Sequence, residues 1–227
     1  MKNIPSHIAF IVDGNRRWAK TQGLPAIAGH KFVVDKVLDL LIDHADKLGI
    51  KYLTFWAFST ENWKRGKFFA KALFGLLEKS IENKASYYDS QGYRFAVIGD
   101  MTKLPKRLVE ILKFWQQKTE NNKKITVTIA INYGGRDEIV RAIKKITNQQ
   151  FNNLTMKQFS QFLDTADMPD PDMIIRTGGE KRLSGFLLWQ SEYAEFYFTD
   201  VLMPDFDTGE FDKALEWFGK RQRRFGK

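Results

Sequence analysis

The sequence predicts an α/β fold with a mostly parallel central sheet and helices on both faces. Three observations predict it. Short apolar runs recur along the chain, HIAFIV at 7–12, KYLTFWAF at 51–58, YRFAVI at 93–98, ITVTIAI at 125–131 and DMII at 172–175, and stretches with helical spacing of apolar residues separate them. Such alternation implies helical crossovers between parallel strands. The runs are apolar throughout instead of alternating, as in strands covered on both faces. Finally, the polar, glycine-containing segments follow the strands, at 13–17, 59–65, 132–136 and 176–182, where parallel sheets bind ligands. With 227 residues, 43% of them hydrophobic, and no linker, repeat or low-complexity stretch, the chain reads as one domain over 1–227.

The elements follow in order. The first strand, 7–12, breaks at Asp13-Gly14-Asn15, three residues suited to a tight turn, and a short helix runs to about Lys20. After a break at Thr21–Pro25, a long helix over about 30–48 is set by Val33, Val34, Val37, Leu38, Leu41, Ile42 and Ala45, and Gly49 ends it. The β-branched and aromatic run 51–58 is a strand, and Ser59 to Gly66 is a polar loop. A second long helix, about 68–90, carries Phe69, Leu73, Leu76, Leu77 and Ile81 on one face. Strand 93–98 closes at Gly99-Asp100, Pro105 opens a helix to about Asn121, and strand 125–131 ends in Asn132–Arg136. Residues 137–146 are helical, and a shorter helix follows Leu154-Thr155. Then come a short strand at 172–175, a turn of helix at 186–189, a last strand at 195–198 and a final helix at 207–223.

Composition narrows the function. There is no cysteine, which excludes disulfides and thiolate metal sites. The formal net charge of +9 points to anionic partners: nucleic acid, an anionic membrane surface or phosphorylated small molecules. No RRM, KH or helix-turn-helix signature is present and the positive charge gathers at strand-end loops, so nucleic acid is not expected. No run of 18 apolar residues appears, and Met1–Ser6 lacks the apolar core of a signal peptide, which leads us to expect a cytoplasmic protein, with membrane association of a peripheral kind only. GxxxxGK[ST], a GxGxxG after the first strand, a serine nucleophile elbow and HExxH are all absent.

The chemistry gathers at the strand ends. An acid at the end of a strand, Asp13, can hold a divalent cation, the first turn of the following helix offers backbone N–H groups, and Arg16 and Arg17 can fork onto phosphate oxygens. Loops after parallel strands share one edge of the sheet, which places Ser59, Glu61, Asn62, Arg65, Asn132, Arg136, Arg176, Glu180 and Arg182 on the same rim. The segment 176–184 sets two arginines, a lysine and Ser184 around a Gly-Gly bend, a second phosphate cradle. Of the three histidines, His30, after a glycine at a helix start, is the one expected to touch phosphate; His44 reads as packing or surface. The 19 phenylalanines, 6 tryptophans and 7 tyrosines fit core packing, or an apolar tunnel for a lipid chain between the two long helices and the sheet; composition leaves both open. The basic tail 220–227 reads as a solvated end.

Seven segments together resemble the cis-prenyltransferase family, most closely its bacterial, undecaprenyl-type members: HIAFIVDGNRRWAK at 7–20, GHK at 29–31, FSTENWKR at 58–65, IGD at 98–100, NYGGRDEI at 132–139, DMIIRTGGEKRLSGFLLWQSEYAEFYFTDVLMPDF at 172–206 and RRFG at 223–226. They stand in family order over nearly the whole chain. The resemblance implies the family's fold with an apolar tunnel, a homodimer, and a Mg2+-dependent condensation of isopentenyl diphosphate in cis onto an allylic diphosphate, typically farnesyl diphosphate. The product would be a long-chain polyprenyl diphosphate for cell-wall lipid carrier synthesis, which partitions into membrane. It also implies roles. Asp13 is the metal and diphosphate aspartate and Glu195 a second metal-linked acid. Gly14, Asn15, Arg16, Arg17 and Trp18 cradle the allylic diphosphate beside His30. Ser59, Thr60, Glu61, Asn62, Trp63 and Arg65 form a loop that positions substrate, with Asn62 and the diphosphate itself the candidates for the base. Arg176, Arg182 and Ser184 take isopentenyl diphosphate, and Arg224 to Gly226 reach across the dimer.

The sequence departs from the family pattern at Ala26, where an arginine is usual, at Gly66-Lys67, where proline and an acid are usual, and at Gly185, where asparagine is usual. Ala57 and Ile125, matched to a small tunnel residue and the tunnel floor, lean towards a long product. Two other readings stand beside this one: a catalytically silent partner subunit on the same fold, and a basic nucleic-acid-binding protein.

Overall fold

Six strands, His7–Ile11 (β1), Tyr52–Ser59 (β2), Arg94–Ile98 (β3), Thr126–Tyr133 (β4), Met173–Arg176 (β5) and Glu195–Phe198 (β6), pair in the order β3-β4-β2-β1-β5-β6. Every pairing is parallel, so the sheet is parallel throughout and not merely for the most part. The computed structural model describes residues 3–146 and 153–222. Helices cover both faces, as the apolar runs require. In β1 all five residues are buried; Ile8 and Phe10 join one core, and Ala9 and Ile11 join the other. That is the physical meaning of an uninterrupted apolar run in a central strand.

The helices are Asn15–Thr21 (α1), Ile27–Phe32 (α2), Leu38–Lys47 (α3), Lys67–Ser90 (α4), Lys106–Lys118 (α5), Gly135–Ile146 (α6), Met156–Ser160 (α7) and Thr208–Gly219 (α8). The long helix expected over 30–48 forms as one rod, but its middle, Val33–Val37, is a π turn between α2 and α3. One face packs Val33, Val37, Leu41, Ile42 and Ala45 under β1 and β2 with Phe206, Phe211 and Phe218. α4 and α5 pack Leu73, Phe74, Leu77, Leu108 and Leu112 beneath Phe58 and Ile131.

Two expectations need correction. Residues 60–65 are not a loop but a 3-10 helical turn, because Ser59 and Asn62 form a reciprocal capping box at its start. Residues 186–189 form hydrogen-bonded turns and not a turn of helix; Leu187 there has φ 43, incompatible with a right-handed helix. Between α3, α4, α5 and the sheet lies an apolar cavity of only ≈ 70 Å3, lined by Leu38, Ile42, Phe55, Leu77, Ile81 and Ile129 among others. Ile125, expected at the tunnel floor, is fully buried in the core and does not line that cavity.

Candidate active site

β1 and β5 are neighbours, yet the chain leaves their carboxyl ends towards opposite sides of the sheet, from β1 to β2 and from β5 to β6. Such a reversal opens a crevice at the strand ends. Asp13 lies two residues beyond β1, and Arg176 is the last residue of β5, level with Ile11. Arg176 is buried, 5% exposed, and its Nη2 donates to Asp13 Oδ2 at 2.9 Å. Its Nη1 donates to Ser184 Oγ at 2.9 Å and to the Arg182 carbonyl. Asp13 Oδ1 accepts the Gly14 N–H at 2.6 Å, and Arg17 Nη2 sits 3.7 Å from that oxygen while donating to the Gly178 carbonyl. Thr177 Oγ1 ties the loops by accepting the Asp13 N–H at 3.0 Å and donating to the Asp13 carbonyl at 2.7 Å.

Two glycines permit this closeness. Gly14 has φ 100, and a Cβ there would lie 2.8 Å from a Leu202 methyl carbon. A Cβ on Gly29 would stand 2.0 Å from the Asn15 carbonyl oxygen, so α1 and α2 touch backbone to backbone.

A pocket of ≈ 1020 Å3 surrounds the pair. Its lining holds Asp13, Gly14, Asn15, Arg16, Arg17, His30, Ser59, Glu61, Asn62, Arg65, Arg176, Arg182 and Ser184, so most of the residues singled out from the sequence converge. Its cations are Arg16, Arg17, Lys20, Arg65, Arg176 and Arg182, against the carboxylates Asp13 and Glu61. The field shows in two side chains. Burial pushes the His30 imidazole down to about 4, and Arg65 and Arg16 push the same way, so the ring is neutral at physiological pH. Burial and Arg16 also lower Arg65, with Asp13 opposing. Phe69 supports both: its ring meets His30 edge-on at 5.5 Å and lies 5.4 Å beneath the Arg65 guanidinium. Asn15 Oδ1 and Arg176 Nε are buried without a hydrogen-bond partner. The unpaired Arg176 N–H in a cationic pocket suits an anionic ligand, whereas the Asn15 oxygen, an acceptor, calls for a donor.

Other expected residues lie elsewhere. Trp18 turns away, donating from Nε1 to Asp205 and packing on Phe32. Trp63 anchors its turn, donating to Asn132 Oδ1 at 2.8 Å and packing on Phe58 and Phe74. Thr60 donates to Glu61 and faces Gly134. Asn132 is buried and holds the Asp100 carbonyl, Arg136 does not line the pocket, and Glu180 is paired with Arg182. Arg224 and Gly226 fall outside the described residues. The sequence reading missed Lys20, Gly23, Leu24 and Trp56 as lining residues. Lys20 was findable: it follows Arg16 by four positions and Arg17 by three, the spacing of one helix face.

The two acids expected at a metal lie apart within one chain. Glu195 is level with Met173, at the far end of β5 from Arg176, so it sits roughly 10 Å back along the strand. It is held by Arg221, whose Nε donates to it at 2.9 Å. Within one chain, therefore, Asp13 and Glu195 do not share an ion, and no cluster of three acids or histidines able to hold one occurs among the described residues. Mg2+ commonly needs just one or two carboxylates beside substrate phosphates and water. Asp13, solvent-accessible in a diphosphate-sized pocket, fits that arrangement; a site built wholly from protein ligands does not.

Residues 11–226 match the family model described as "Putative undecaprenyl diphosphate synthase". The chain belongs to the cis-prenyltransferase family. The isoprenyl transferase of Aquifex aeolicus is 48% identical over 224 residues, 99% of this chain and 96% of that protein. The isoprenyl transferase of Fusobacterium nucleatum is 47% identical over 225 residues, 99% of this chain and 97% of that protein. Among solved structures, lavandulyl diphosphate synthase from Lavandula x intermedia, in complex with dimethylallyl diphosphate, superposes with a TM-score of 0.94 at 35% identity, covering 99% of each chain. A probable undecaprenyl diphosphate synthase from Campylobacter jejuni gives 0.84 at 34% identity, covering 100% of each.

Of the positions read from the sequence as departures, Gly66 closes the 60–65 turn and does not line the pocket. Ala26 lines it, as does Arg16. Gly185 has φ 93 with open space where a Cβ would stand, a conformation that asparagine also tolerates. The preceding Ser184, which receives Arg176, is itself at φ 53.

Proposed function

We propose that this isoprenyl transferase condenses isopentenyl diphosphate in cis onto an allylic diphosphate, farnesyl diphosphate being the primer, to give a long-chain polyprenyl diphosphate for cell-wall lipid carrier synthesis. One observation carries the reading: the Asp13–Arg176 pair sits at the reversal of the sheet, in a pocket with six cations and two carboxylates. That is more positive charge than one diphosphate needs, and it falls into two groups. Asp13, Arg16, Arg17, His30 and Arg65 receive the allylic diphosphate. Arg176, Arg182 and Ser184 receive isopentenyl diphosphate.

In the reaction the C1–O bond of the allylic unit breaks, and its electron pair leaves with the diphosphate. C4 of the isopentenyl unit forms the new C–C bond, and a C2 proton is lost to make the next double bond. Arg16, Arg17 and Arg65 stabilise the departing charge in place, without reorganising. Asp13 would hold Mg2+, which when bound would supply further neutralisation of that charge. Ile11, Trp56 and Ala57, the apolar lining, keep water from the electron-poor carbon. The Asn62 side-chain Oδ1 accepts the Ser59 N–H at 3.2 Å, and an amide is a poor base, so a diphosphate oxygen takes the proton while Asn62 positions the 60–65 turn. A second reading, a short product, is favoured by the ≈ 70 Å3 cavity, well below the roughly 300 Å3 of a small-ligand site.

We place the enzyme as a homodimer in the cytoplasm, with peripheral contact to the membrane that takes up its product. In support, no described helix is long and apolar enough to cross a membrane, and the edge strand β6 leaves Phe196 37% exposed, with nearby Tyr193 at 55%. Purified protein given Mg2+, farnesyl diphosphate and labelled isopentenyl diphosphate is expected to yield extended polyprenyl diphosphates. Absence of turnover with every allylic primer would overturn the reading.

A further inference from the structure

The π turn Val33–Val37 interrupts the hydrogen-bond ladder of the helix that walls one side of the apolar cavity. A π turn shifts the helical partners by one residue. From across the cavity, Lys84 Nζ of α4 donates to two carbonyls of the turn, Val34 O at 2.7 Å and Asp35 O at 3.0 Å. Its third proton goes to Asp39 Oδ2 at 2.5 Å, which uses the full donor capacity of an ammonium group. Tyr88, one turn further along α4, donates to the other oxygen of Asp39. The Lys84 side chain is 22% exposed and that of Asp39 33%, so this clasp lies between the cavity and solvent-accessible surface. Lys84 and Tyr88 themselves line the cavity, beside Val34, Leu38, Ile42 and Ile81.

An apolar chain can grow into this space only if the helix 27–47 and α4 separate. Lys84 is what bridges them there, and a π turn is a place where a helix can change register by one residue without unfolding. We propose that the clasp of Lys84 and Tyr88 with Asp39 and the π turn is the chain-length stop of this enzyme: it limits the separation of the two helices, and extension ends when the growing chain reaches it. This rests on the prenyl-transfer reading above for its substrate.

Two measurements test it on the full chain. With farnesyl diphosphate and excess labelled isopentenyl diphosphate, Lys84→Met and Asp39→Asn are expected to lengthen the dominant product by at least one five-carbon unit, the first condensation keeping a rate within about twofold of the unsubstituted chain. Separately, affinity for n-alkyl diphosphates of increasing length is expected to rise to a plateau, and that plateau to move to longer chains in Lys84→Met. A clasp that merely supports the fold would lower the melting temperature and move neither product nor plateau. Unchanged product lengths and an unmoved plateau in both folded variants overturn the proposal. If the unsubstituted chain extends nothing but the plateau moves, the stop stands and the prenyl-transfer reading falls.

Discussion

Asp13 carries two duties at once. In the proposed reaction it meets a metal-bound diphosphate, and in the fold it is the counter-charge of Arg176, a guanidinium 5% exposed. Removing it takes away both, so Asp13→Ala is expected to lower the rate by about 100-fold or more, as with loss of a single electrostatic stabiliser at other reacting centres. Circular dichroism is expected to remain native, because the backbone of the loop is also held by Thr177. Near-normal turnover would remove Asp13 from its role.

His7 acts at the other end of the sheet. Its ring is enclosed by the Pro169 carbonyl at 2.8 Å and by Thr54 Oγ1 at 2.8 Å, and burial pushes it down to about 4 in spite of Asp172. Between its unfolded value of 6.5 and 4, the unfolded chain takes up a proton that the folded chain refuses. Stability is therefore retained above pH 6.5 and lost as pH falls, on the order of 2 kcal/mol from this residue by about pH 5. Denaturant midpoints at about pH 7.5 and pH 5 measure it; a flat profile would show that His7 is protonated in place.

At the scale of elements, the approach of α1 to α2 sets the shape of the phosphate corner. Gly29 is the contact point, and Gly29→Ala would drive a methyl group into the Asn15 carbonyl at 2.0 Å. Backbone cannot rotate away as a side chain can, so the helices must separate, at a cost of about 1–3 kcal/mol. Because Arg16 and Arg17 ride on α1 while His30 rides on α2, the substitution is expected to raise KM for the allylic substrate as well as lower Tm. A lower Tm with an unchanged KM would mean that the corner tolerates the shift. The 3-10 turn at 60–65 shows the opposite case, in which capping by Ser59 and Asn62 overrides a stretch that reads as loop.

Across the whole molecule, the reversal of strand order explains why residues more than 160 positions apart meet. β1 and β5 are adjacent because three strands are laid down on one side of β1 before the chain crosses to the other. The sequence determined much of this by itself. Continuous apolar runs require strands covered on both faces, and their alternation with helical spacing requires a parallel sheet, whose polar loops must gather at one edge. Asp13, Arg17, Arg65, Arg176 and Arg182 were legible for that reason: strand-end position and charge are local properties. What the tertiary structure decided is everything that depends on direction and distance across the sheet. Glu195 has the chemistry of a metal ligand, but only register shows that within one chain it stands level with Met173, away from Asp13 and beside Arg221. Trp18 and Trp63 lie within the matching motifs and face other partners. Lys84 reaches across the cavity to carbonyls of a π turn, a contact between residues 50 positions apart that no periodicity records. Side-chain pattern follows from the local backbone; which groups meet, and how closely, follows from how the elements pack.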